Sequence, residues 1–114
     1  MPYIKTTVST EISDSAKENL KNKLGNAIAL IPGKSENWLM LSFHDKTDMA
    51  FRGETHEEYA YIEVNIFGSA SDAAYDRLTA AICEIINEEL SIPLSNIYVK
   101  YEEAEHWGWN GNNF

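Results

Sequence analysis

The order of strand-like and helix-like segments in these 114 residues predicts an α+β, two-layer fold built from a duplicated β-α-β unit. Three observations carry that prediction. Runs rich in β-branched and aromatic residues alternate with two long segments of helical apolar period. The dipeptides Ser13-Asp14 and Ile31-Pro32 recur in order as Ser71-Asp72 and Ile92-Pro93, at a near-constant offset. Each helical segment is long enough for the crossover that a parallel strand pair requires. The expected architecture is a four-stranded mixed sheet with both helices on one face.

Element by element, Tyr3 to Val8 reads as a strand. Ser15 and Glu18 have capping-box spacing at the start of a helix. Ala16, Leu20, Leu24, Ala27, Ile28 and Ile31 then form its apolar stripe, and Pro32-Gly33 stops it. Trp38 to Phe43 is a second strand, apolar enough to be largely covered. Tyr59 to Phe67 alternates as a third strand. Ser71-Asp72 opens a second helix with Ala74, Leu78, Ala81, Ile82, Ile85 and Ile86 on its inner side. Ile97 to Tyr101 closes the sheet, and the acidic run Glu102-Glu103-Ala104-Glu105 reads as a solvated loop. The chain is expected to be one domain over residues 1–114, with pseudo-repeats at about 1–57 and 58–114. Strands apolar on both sides leave one sheet face to be covered, and a second copy of the chain is the expected cover.

Composition narrows the partners. A net charge of −9 disfavours nucleic acid and anionic membrane surfaces. Cys83 is the single cysteine, which rules out an internal disulfide; its apolar neighbours Ile82, Ile85 and Ile86 mark it as a packing residue. No leader and no apolar run of transmembrane length is read, so the expected location is cytoplasmic. His44, His56 and His106 lack metal-ligand spacing and read as surface residues.

The residue with most chemical content is Pro2. A small second residue normally lets the initiator Met be trimmed, and the chain then begins with a free secondary amine. An α-amino group titrates at about 7.7–8.0, and burial or a nearby cation lowers that value toward neutrality. Such a base suits proton abstraction next to a carbonyl.

Pro2, Pro32-Gly33-Lys34, Met49-Ala50-Phe51-Arg52-Gly53 and the tail from Trp109-Asn110 to Phe114 together resemble the macrophage migration inhibitory factor family, of the tautomerases with an N-terminal proline. The resemblance spans essentially the whole chain. It implies a homotrimer with pockets between adjacent subunits. It further implies keto–enol tautomerisation of 2-keto acids such as phenylpyruvate, with Pro2 as general base. Only a proton moves, so no metal or organic cofactor is implied.

By the same resemblance, Lys34 lowers the proline pKa and holds the substrate carboxylate. Ile66 contributes backbone to the substrate site, and Tyr98 enters the pocket from the neighbouring subunit. Trp109 and Phe114 line the pocket and the subunit contact. Lys100 stands where the family usually has asparagine, and it brings a second cation that shares a strand face with Tyr98. The thiol pair of the animal cytokine is replaced by His56-Glu57-Glu58-Tyr59-Ala60, which excludes thiol–disulfide exchange there. Arg52 stands where glycine is common and has no assigned role. Two other functions stay open. One is a cytokine-like binding protein with a vestigial pocket, exported without a signal peptide. The other keeps the same base but performs decarboxylation or hydration of a related acid.

Overall fold

Alternation of side chains along the first seven-residue strand divides the molecule into a helix-covered side and an open side. The computed structural model describes residues 1–114. Strand β1 (Pro2–Val8) buries Pro2, Ile4, Thr6 and Val8 and turns Tyr3, Lys5 and Thr7 the other way. Helix α1 (Asp14–Ala27), β2 (Met40–His44), β3 (Ala60–Phe67), α2 (Asp72–Leu90) and β4 (Ile97–Ala104) follow. The sheet order is β2-β1-β3-β4. The pairs β1–β2 and β3–β4 are parallel, and the central β1–β3 pair is antiparallel. The mixed four-stranded sheet with two helices is the architecture that the sequence predicts.

Both helices open on a serine that satisfies a first-turn amide. Ser13 Oγ accepts from the Ala16 N–H at 3.1 Å, and Ser71 Oγ accepts from the Ala74 N–H at 3.1 Å. The repeated Ser-Asp dipeptide is therefore a repeated helix start. The cap of α1 is Ser13 and not Ser15, whose hydroxyl instead meets Ser13 Oγ. Helix α1 also ends earlier than Pro32, at Ala27, and passes into a tight turn over Ile28–Leu30. Leu20, Leu24 and Ile28 from this arm join Leu78, Ile82 and Ile86 of α2 against Ile4, Val8, Ile62, Val64 and Ile66 of the sheet. Cys83 is half-buried at the edge of this core, and burial pushes its thiol pKa up.

Two strand expectations change. Strand β2 is an edge strand with β1 as its sole neighbour, so Met40 and His44 are exposed and the strand is not largely covered. Trp38 lies before it, in a turn over Glu36–Trp38. Strand β4 runs on through Glu102 and Glu103 to Ala104, because Asn65, Ile66 and Phe67 of β3 pair with those three residues. The acidic run is thus largely strand and not loop. The uncovered face is also more polar than expected. In register it presents Lys5 beside Glu63 beside Lys100, flanked by rows that contain Tyr3, Asn65, Glu102, Thr7, Tyr61 and Tyr98.

Thr6 is a local conflict in the core. It is fully buried and its Oγ1 has no hydrogen-bond partner. Leaving a buried hydroxyl unpaired costs about 1–3 kcal/mol, so the near-isosteric Thr6→Val should stabilise the fold by about 1 kcal/mol. Chemical denaturation of the two proteins, read as a shift in midpoint, checks this.

Candidate active site

One end of the sheet gathers the N-terminus, a cation and an aromatic hairpin. Pro2 is buried and stands opposite Ile66 in the antiparallel β1–β3 register. Just beyond it, the Met1 carbonyl accepts from the Phe67 N–H at 2.9 Å. The Phe67 carbonyl in turn accepts from Lys34 Nζ at 2.8 Å. Lys34 is delivered there by the turn after α1. Its N–H donates to the Ile31 carbonyl at 3.0 Å, and Gly33 takes the left-handed backbone (φ 82°) that reverses the chain.

The terminal amine therefore sits in a specific electrostatic setting. The pKa of the Met1 amine is lowered to about 6, first by burial, then by the charge of Lys34 and its hydrogen bond. A chain beginning at Pro2 carries its amine one residue further into the same strand.

A cavity of about 650 Å³ opens at this end, lined by Met1, Pro2, Tyr3, Asn37, Trp38, Leu39, Met40, Trp107, Gly108 and Trp109. Most of that lining is apolar or aromatic, and none of it is a carboxylate. Trp38 meets Trp109 edge-to-face with centroids 5.0 Å apart. Trp109 is carried by a short hairpin of β5 (Gly108–Trp109) and β6 (Asn112–Asn113). Its turn, Asn110-Gly111, has positive φ at both positions (53° and 87°), as a tight hairpin turn requires. Phe114 closes the cluster, with its ring 5.7 Å from Phe67 and stacked 6.5 Å from Trp109.

Of the residues singled out in the sequence, Pro2, Lys34, Ile66, Trp109 and Phe114 are at this end. The Ile66 side chain is fully buried in the core, so only its backbone is offered to a ligand. Tyr98 and Lys100 are elsewhere in the same chain. Tyr98 pairs with Tyr61, five residues along β3 from Ile66, which is about 16 Å at strand rise and two strands away from Pro2. There Tyr98 is 61% exposed and packs edge-to-face on Phe51 at 5.1 Å. It belongs to a separate apolar groove of about 390 Å³ with Met49, Tyr59 and Tyr61. Lys100 Nζ is 2.9 Å from Glu102 Oε1, and that hydrogen bond and charge raise its pKa.

Trp38, Trp107, Asn37, Tyr3 and Met40 also line the cavity, and no motif in the sequence marks them as site residues. The Asn110-Gly111 pair was an available signal, since it forces the tail back toward the sheet. Arg52 gains a structural reading. Arg52 and Gly53 both have positive φ (53° and 76°) in a turn closed by reciprocal Phe51–Glu54 backbone bonds of 2.9 Å. Arg52 also lays its guanidinium 4.7 Å over the Phe51 ring and donates to the Ser95 carbonyl at 3.3 Å. Glycine suits such a position by its backbone alone, whereas arginine adds the ring contact and this bond.

Known proteins place this geometry in a lineage. The family model "Macrophage migration inhibitory factor (MIF)" matches residues 1–114. The chain is 25% identical over 111 residues to macrophage migration inhibitory factor of Xenopus laevis, covering 95% of this chain and 96% of that protein. The crystal structure of Leishmania major MIF2 superposes with a TM-score of 0.93 at 36% identity, covering 100% of this chain and 97% of that one. The homologue from Prochlorococcus marinus gives a TM-score of 0.87 at 29% identity, covering 98% of each chain. No helix here is long and apolar enough to cross a membrane. The chain belongs to the macrophage migration inhibitory factor family.

Proposed function

We propose that this protein is a cofactor-independent keto–enol tautomerase of 2-keto acids, with phenylpyruvate as a representative substrate. Pro2, once Met1 is removed, is its general base. The observation that carries the reading is the setting of the chain start: Pro2 is buried at the head of an aromatic-walled cavity, and burial and Lys34 lower the pKa of the Met1 amine beside it. The substrate carboxylate sits against Lys34, and Trp38, Trp107 and Trp109 take the apolar body. Pro2 removes the proton from the carbon next to the carbonyl. The enolate charge is held by the neighbouring cation, and protonated Pro2 returns the proton at the other end of the enol system.

The working unit in this reading is a homotrimer. Tyr98 and Lys100 lie too far from Pro2 within one chain, and a neighbouring copy brings them to the cavity. The exposed Met40, Tyr98 and Trp109 leave apolar surface for that contact.

The test is the initial rate of phenylpyruvate tautomerisation by protein whose intact mass confirms that Met1 is gone, beside its Pro2→Gly variant. A clear rate that falls at least about tenfold in the variant supports the reading. A background rate from the correctly processed trimer overturns it and favours the binding-protein alternative. Sedimentation as a monomer overturns the shared pocket.

A further inference from the structure

The two cations of the proposed pocket are not equivalent. Lys34 Nζ donates to the Phe67 carbonyl, a neutral dipole, so its formal charge stays uncompensated. Lys100 is tied to a carboxylate, with its Nζ 2.9 Å from Glu102 Oε1. Glu63 stands opposite Lys100 on β3, and Lys5 opposite Glu63 on β1. Tyr98, Lys100 and Glu102 follow one another at period two on the open face of β4, so whatever Lys100 faces, Glu102 faces too. The lining of the Met1–Pro2 cavity contains no carboxylate and no charged base other than the terminal amine. One free cation suits one carboxylate. A second carboxylate would have to displace Glu102 from Lys100, or lie close to it and be repelled.

We propose that Glu102 is a specificity-determining residue. By holding Lys100, it restricts the site to 2-keto acids that carry a single carboxylate and discriminates against 2-keto dicarboxylates. This rests on the reading above, in which Lys100 of one copy reaches the Pro2 cavity of another. Glu102 acts through Lys100 and takes no part in proton transfer.

The experiment compares phenylpyruvate and oxaloacetate as substrates for the wild-type trimer, Glu102→Gln, Lys100→Ala and the Glu102→Gln/Lys100→Ala double variant. Binding of benzoate and isophthalate to the same four proteins is measured by calorimetry. In Glu102→Gln, the KM for oxaloacetate and the Kd for isophthalate should fall about fivefold, the size that an exposed ion pair carries. The values for phenylpyruvate and benzoate should move less than about twofold. The double variant should lose the gain. Equal gains for mono- and dicarboxylates overturn the proposal, as does a gain that survives loss of Lys100. If no variant turns over either keto acid, the catalytic reading fails. The benzoate–isophthalate contrast still decides the role of Glu102.

Discussion

A chain that keeps Met1 should tautomerise phenylpyruvate about 10²–10⁴-fold more slowly than one that begins at Pro2, the range that a positioned general base contributes. The reason is electronic. With Met1 in place, the Pro2 nitrogen is an amide whose lone pair is delocalised into the carbonyl, and it has no useful basicity. The Met1 amine that replaces it is displaced by one residue and is primary. Steady-state rates on two preparations, distinguished by intact mass, measure the difference. The pH profile gives an independent check. The base acts only when unprotonated, so the rate should rise with pH through the amine pKa and then level. The environment that lowers the Met1 amine to about 6 acts in the same direction on Pro2, so the limb should lie below the ordinary α-amino range. A limb at or above that range would remove burial and Lys34 as the activating forces.

Ile62→Ala should be the most damaging of the conservative core changes, costing about 2–5 kcal/mol. Ile62 is fully buried in β3, the strand flanked by β1 on one side and β4 on the other. Its methyl groups face the helix layer, and truncation leaves a void where sheet and helices meet. Against a total stability of about 5–15 kcal/mol for a domain of this kind, that is a large fraction. A fall in Tm of roughly 10–20 °C is expected by calorimetry. A change of only a few degrees would mean that the helices collapse onto the sheet and refill the space.

The parts of the fold readable in the sequence were those governed by a single period. Alternation from Ala60 to Phe67 and the stripe Leu78, Ile82, Ile86 each bury one face as expected, although the strand begins one residue after Tyr59, which is itself buried. Period two likewise puts Tyr98 and Lys100 on a common face. The features that were missed depend on neighbours distant in the chain. Glu102 and Glu103 read as loop by charge, yet pairing with Asn65 and Ile66 keeps them in strand. Trp38 read as the start of a covered strand, yet it is 46% exposed in the turn before an edge strand, against Trp109. Pro2 is legible in the sequence as a candidate base. Its aromatic surroundings are only partly so, because Trp109, and Trp107 just before it, reach it through a hairpin of residues 108–113 at the far end of the chain.

The bond between the Met1 carbonyl and the Phe67 amide has one more consequence. A chain starting at Pro2 has no carbonyl at that place, so the Phe67 N–H is left without its 2.9 Å acceptor, next to the new amine. The same cut takes away the primary amine that lies against Lys34. One peptide-bond cleavage thus unmasks a proton acceptor, a hydrogen-bond donor and a cation together, while the core behind them, from Ile4 to Ile66, keeps its packing. On the proposed reading, Met1 is a one-residue cap over the site that its own peptide bond holds shut.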